Sequence, residues 1–331
     1  MSALATAGDA VRQKLSEVEP TTWAGLGRVL ALVVLCLIIG AFSPVFFSER
    51  NISITVTNAC VLIILGVGNT MTIITRGPDL SAGSVLTITA VVAALMVKAG
   101  FFFVWAFGAA LAFGAVLGLV NGLMIARVGL PAFISTYGLQ WAIFGFAYAI
   151  LKGYVVYDFD ADFRFIGNHN LFGVLPMPIV VMVIVVAAGW FLLRKTTLGR
   201  RMYAVGANTD AAYMSGIDVS KTVIIAFVLS GLLAALGGLV LVARINAIQA
   251  DIGAQYLLTT IAVVYMGGTS ATGGQGGVLG TVVGALIMTV VENAMNLFGV
   301  PSMWRNSIVG ALIIVTVLVD LQLKRKIIKT G

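Results

Sequence analysis

The chain has 331 residues, of which 60% are hydrophobic and 10% charged, with a mean hydropathy of +1.06. A soluble domain carries about a quarter charged residues, so the composition excludes one and requires a helical protein that crosses a membrane many times. The net charge of +7 would suggest nucleic acid in a soluble chain; here basic residues collect in loops on the inner side of the membrane instead.

Residues 1–24 are polar and of mixed charge and carry no cleavable-signal pattern, so the first apolar run is expected to stay in the mature protein. Ten apolar segments follow in order, at 25–42, 53–75, 80–97, 101–126, 131–151, 175–193, 222–243, 256–271, 277–298 and 307–323. A helix rises about 1.5 Å per residue, so each crosses or nearly crosses a hydrocarbon core of about 30 Å. The expected fold is an all-α polytopic membrane domain over 25–323, with about ten transmembrane helices and short Gly-rich breaks. The eighth segment, the shortest and most Gly/Thr-rich, and the fifth, with Tyr137 and Gln140, are the ones expected to be broken or re-entrant.

Ten crossings from an inner N-terminus place 14 Lys and Arg inside and 6 outside (Arg50, Lys98, Lys152, Arg164, Arg244 and Arg305). That is the sign the positive-inside rule demands, and it predicts both termini inside. The longest outer connection, 152–174, carries Asp158, Asp160 and Asp162 among aromatic residues; it reads either as a solvated loop or as a docking surface. The 38 glycines include small-residue pairs such as Gly108 with Ala112, Gly114 with Gly118, Gly231 with Gly238 and Gly280 with Gly284. Such pairs let helix backbones approach closely in lipid. Cys36 and Cys60 lie in apolar runs and behave as small hydrophobes, and the single His169 has no second ligand nearby in sequence.

Ionisable groups inside a membrane are costly and therefore informative. The short set here is Asp79, Glu292 and Asp320, of which only Glu292 lies deep in a run. This scarcity argues against an ion-driven pump. Neutral polar residues are commoner and suit an uncharged, hydroxylated solute, although each can equally bridge two helices. The candidate pathway residues are Asn58, Asn69, Asp79, Ser81, Ser84, Asn121, Tyr137, Gln140, Glu292, Asn293 and Asn296. Asp79, Ser81 and Ser84 belong to TRGPDLSAGSV (75–85), where Gly77 and Pro78 break one helix and Asp79 or Ser81 can cap the next. That break lies either at the inner surface or within the bundle, where non-helical backbone lines a cavity. A second break, GGTSATGGQGG (267–277), lacks the Gly-Lys-Ser/Thr ending of a phosphate-binding loop, so no nucleotide site is expected on this chain.

The longest polar, non-acidic stretch is 194–221, with Arg194, Lys195, Arg200, Arg201 and Lys221 against Asp210 and Asp218. Within it 206–216 pairs a capping residue, Asn208 or Thr209, with a short helical run and a Gly stop.

Four stretches resemble the membrane permease subunits of bacterial ATP-driven carbohydrate importers of the ribose type: TRGPDLSAGSVLTITA, VNGLMIARVGLPAFISTYG, GRRMYAVGANTDAAYMSGIDVSK and AVVYMGGTSATGGQGGVLGTVVGALIM. Together they span 75–292. Pro78 departs from the aliphatic residue usual in that family, and DFDADF matches no particular sugar specificity. The resemblance implies a permease without its own ATP site in the bacterial inner membrane. It would pair with a second permease copy, ATP-binding cassette subunits that hold ATP and magnesium, and an external solute-binding protein. Gly206, Asn208, Thr209, Asp210, Ala211, Tyr213, Met214 and Gly216 would then form the coupling helix gripped by the ATPase, and 324–331 a basic cytoplasmic tail. The alternatives are a branched-chain amino-acid permease of a related family and an ion-coupled secondary transporter. The GPDLS-AGS segment and the expected absence of a charge pair for a zwitterion favour sugar.

Overall fold

A computed structural model describes residues 20–304, 307–312, 314, 315 and 318. Residues 1–19, Arg305, the end of the tenth segment with Asp320, and 324–331 lie outside the described residues. Helix α1 (Pro20–Phe42) begins within the polar stretch 1–24 and exposes most of its apolar surface, as a lipid-facing helix does. A 3-10 turn (Pro44–Phe47) leads to α2 (Glu49–Ile74), capped by Ser48, whose hydroxyl accepts from the Asn51 N–H. From Ala59 to Thr75 every residue is buried, so α2 is a core helix. The chain continues through α3 (Ala82–Lys98), α4 (Phe103–Ala126) and α5 (Ala132–Leu151).

The connection after α5 holds β1 (Val156–Tyr157), α6 (Ala161–Asn168) and a small hairpin of β2 (Asn170–Leu171) and β3 (Leu175–Pro176). Then come α7 (Met177–Lys195), α8 (Thr197–Ala207), α9 (Thr209–Met214), α10 (Val219–Ile245), β4 (Ala247–Ile248), α11 (Tyr256–Met266) and α12 (Val278–Leu297). Strand β4 pairs antiparallel with β1, Val156 opposite Ile248. Seven described helices are long and apolar enough to cross a membrane: α1 from Gly25, α2, α4, α5, α7, α10 and α12.

The expected third and eighth segments form short helices of 17 and 11 residues, about 25 and about 16 Å long at the α-helical rise. Helix α11 stops because Gly268 takes φ +83°, and the rest of the eighth segment belongs to the second break. The fifth segment, a candidate for a break, is one unbroken helix. Gln140 and Tyr137 do not disturb its backbone, one being buried and the other exposed.

Helix α10 is the axis of the bundle, packed on α4, α2 and α3. Small residues set the spacing: a Cβ on Gly114 would come within 2.5 Å of the Gly231 carbonyl oxygen, and one on Gly118 would strike the Phe227 backbone. Gly280 and Gly284 bring α12 against the end of α11 in the same way, whereas Gly108 faces open space. In lipid, where no hydrophobic force draws helices together, such close backbone contact supplies the packing.

Candidate functional site

The bundle has two dissimilar ends. At one, α8 and α9 lie beside both Gly-rich breaks. Arg76, at φ +68°, donates from Nε to the Gly206 carbonyl (2.6 Å) and from Nη2 to the Ala207 carbonyl (2.7 Å). These carbonyls are left over at the C-terminus of α8, where a cation is favoured. The Gly274 N–H donates to Ile74 O at 2.9 Å, and Tyr203 Oη donates to Gly276 O at 2.9 Å. Gly206 is the crossing point: a Cβ there would collide with the Ile74 carbonyl and reach 2.5 Å from the Gly274 nitrogen. Asn208 caps α9 by accepting from the Asp210 and Ala211 N–H groups at 3.1 and 3.0 Å. Thr209 instead donates back to Val205 O, and Gly216 at φ +78° ends the unit. Ala212 is buried against the bundle, and Tyr213 and Met214 project from it, 74% and 87% exposed.

The first break lies inside the bundle, held by buried polar groups. Asn69 grips both backbone groups of Asp79, donating to its carbonyl at 3.1 Å and accepting its N–H at 3.0 Å. The Asp79 carboxylate accepts from the Ser81 N–H (2.9 Å) and hydroxyl (2.6 Å) on Oδ1, and from Ser230 Oγ (2.7 Å) on Oδ2. Asn121 Nδ2 donates to Ser81 Oγ at 2.8 Å and Ser135 Oγ to Asn121 Oδ1 at 3.1 Å; Ser84 Oγ donates to Ser81 O at 2.8 Å. Thus Asp79, rather than a Ser81 side-chain cap, takes the first orphan donor of α3. The network joins α2, α3, α4, α5 and α10, and its members are at most 3% exposed.

At the opposite end, a cavity of about 310 Å³ opens between α2, α10, α11 and α12. Its polar wall is Asn58, Arg244, Gln255, Tyr256, Thr259, Thr289, Glu292, Asn293 and Asn296; Leu62, Leu241, Ile245 and Ile252 form the apolar wall. The Arg244 guanidinium donates to Asn58 Oδ1. Asn293 and Asn51 exchange reciprocal amide bonds of 2.8 and 3.1 Å. Just past Arg244, Asn246 adopts φ +58° and is held by the 152–174 connection: the Phe159 N–H donates to Asn246 Oδ1 at 2.9 Å. Gly167 of α6 sits so close that a Cβ would meet the Arg244 backbone.

The candidate pathway residues therefore divide. Asn58, Glu292, Asn293 and Asn296 share the cavity; Asn69, Asp79, Ser81, Ser84 and Asn121 share the buried network. Tyr137 stands apart on an exposed face, its ring stacked on Phe133 at 5.6 Å. Gln140 is buried, with Oε1 lacking a hydrogen-bond partner among the described residues. Of the polar wall, Arg244 entered only as a loop cation, and Gln255, Tyr256, Thr259 and Thr289 did not stand out in sequence. Arg244 was the one with a signal, as a cation at the very end of an apolar run. Its presence with Glu292 in one cavity removes the expected absence of a charge pair for a zwitterion as a ground for sugar: α10 and α12 meet only in the folded bundle.

Apolar helices around a buried polar network, with a polar cavity at one end and a separate helix pair at the other, define a multi-pass membrane protein. The chain belongs to the family described as "Branched-chain amino acid transport system / permease component", which matches residues 51–317. It is 40% identical to the ribose import permease protein RbsC of Escherichia coli strain K12 over 88% of this chain and 92% of that protein. It is 33% identical to the D-allose transport system permease protein AlsC of the same organism, over 94% and 97% of the two chains. Identity to the fructose import permease protein FrcC of Rhizobium meliloti is also 33%, over 87% and 84%. No solved structure matches the chain.

Proposed function

We propose that the chain is the membrane permease subunit of an ATP-driven, binding-protein-dependent importer of a monosaccharide or polyol in the bacterial inner membrane. The observation that carries this is the near full-length identity to permeases named for ribose, allose and fructose. These three sugars differ, so the proposal is for the class. In this reading about ten spans place both termini in the cytoplasm, with α8 and α9 on the cytoplasmic face and the cavity and the 152–174 connection outside. An external solute-binding protein delivers solute, a second permease copy completes the membrane part, and partner cassette subunits bind ATP and magnesium. The coupling element is 206–216, since Tyr213 and Met214 project from a helix whose far side is packed on the bundle. Asn58, Glu292, Asn293 and Asn296 belong to the solute path, and Asn69, Asp79, Ser81, Ser84, Asn121, Tyr137 and Gln140 are its remaining candidates.

Replacing 206–216 by a flexible linker should abolish both sugar uptake and stimulation of ATP hydrolysis while the protein still inserts. Normal stimulation in that variant would remove the coupling assignment. Uptake abolished by a protonophore without loss of ATP, with no ATPase copurifying, would favour an ion-coupled carrier.

A further inference from the structure

The polar cavity at the end of α2, α10 and α12 has the attributes of a binding site rather than of a packing gap. Its size, about 310 Å³, lies at the low end of the roughly 300–1,000 Å³ of ligand pockets, which limits it to one small molecule. Among the described residues its wall holds one cation, Arg244, and one carboxylate, Glu292, and so no net charge; the same pair would fit a zwitterion, which makes L-leucine the competitor in the test below. The amides of Asn58, Asn293 and Asn296 each offer donors and an acceptor, the pairing that neighbouring hydroxyls require.

Thr289 supplies an independent observation. Thr70, Thr87, Thr259 and Thr260, all buried on helices of this bundle, return their hydroxyl protons to the carbonyl four residues earlier, at 2.7, 3.0, 2.7 and 2.6 Å. Thr289, 2% exposed, does not: its Oγ1 is buried without a hydrogen-bond partner among the described residues, and the residue lines the cavity. A buried hydroxyl without a partner is costly, and a χ1 rotation that turns it to the cavity would let a ligand hydroxyl satisfy it.

We propose that this cavity holds one neutral, polyhydroxylated molecule of monosaccharide size, contacted by Thr289, Arg244, Asn58 and Asn293. The proposal rests on the sugar-permease reading and narrows it, placing the solute at the polar end of the bundle and leaving the Asp79 network as structural support.

The test is ligand protection in membrane vesicles holding the full chain with Cys36→Ala, Cys60→Ala and Thr289→Cys. Alkylation of the introduced thiol by N-ethylmaleimide is timed with D-ribose, D-allose, D-fructose or L-leucine present. Protection follows 1 + [L]/Kd, so a bound sugar slows the reaction about threefold at twice its Kd. The same protection read at Asn296→Cys, on the exposed rim, keeps the test independent of tolerance at Thr289. In cells, the near-isosteric Thr289→Val should reduce uptake severalfold at normal membrane abundance.

Rates unchanged by every sugar at both cysteines, while the wild-type transporter takes up one of them, would overturn the site and leave the sugar reading intact. Protection by L-leucine alone would overturn the ligand class. Failure of the wild-type transporter to take up any of the three sugars would remove the reading itself, and the proposal with it. Wild-type uptake by Thr289→Val would remove that hydroxyl from the site.

Discussion

Removing the Arg76 guanidinium should uncouple the loop helices from the bundle while leaving the fold nearly intact. Its two hydrogen bonds, 2.6 and 2.7 Å long, end on consecutive carbonyls of α8. Buried charge-assisted bonds are worth about 1.5–3 kcal/mol each, but Arg76 is exposed and water competes, so about 1 kcal/mol each is the appropriate figure. Arg76→Ala should therefore cost about 2 kcal/mol. The backbone adds a second handle, because φ +68° strains any residue with a Cβ by about 1 kcal/mol, which glycine relieves. Arg76→Gly should then lose only about 1 kcal/mol net, a shift of about 2 °C in the thermal midpoint in detergent. Arg76→Lys, a single point donor, keeps one of the two bonds. The decisive readout is ATP hydrolysed per sugar transported in proteoliposomes of the whole transporter. It should rise for Ala and Gly alike, although Gly stays near wild-type stability, and less for Lys. An unchanged ratio in Arg76→Gly would refute the argument that this guanidinium links the loop helices to the break.

Two further outcomes test the packing. Asn69→Ala orphans the buried N–H and carbonyl of Asp79. Full desolvation would cost about 1–3 kcal/mol per group, and measured interhelical bonds in membranes average about 0.6, so about 2–4 kcal/mol is expected in the detergent midpoint. A loss below 1 kcal/mol would mean that water reaches the break. Gly206→Ala must displace backbone at Ile74 and Gly274 and should expose 194–221 to protease in vesicles, whereas Gly216→Ala, with open space around it but φ +78°, should cost only about 1 kcal/mol. Equal protease resistance of the two variants would count against Gly206 as the crossing point.

Much of this protein was legible in the sequence because lipid imposes a one-dimensional rule. Every backbone polar group must be satisfied internally, so apolar runs become helices and glycines and prolines mark where they stop. Hence the helix order, the break at Gly77 and Pro78, the Asn208 cap and the shortness of the eighth segment all follow from local residues. Which polar residues share a space does not, because it depends on contacts between positions far apart in the chain. Asn69 and Asn58 lie on one helix and look alike in sequence. Close packing through Gly118 and Gly231 sets α10 against α4 and buries Asn69 in a sealed network with Ser230 and Asn121. At the other end, α2, α10 and α12 part enough to leave Asn58, Arg244, Thr289 and Glu292 around one cavity. The sequence by itself determined a many-helix membrane protein with a polar loop helix. The tertiary structure alone decided which polar groups hold the bundle together and which are left facing space, because that partition is set by how closely the helix backbones approach.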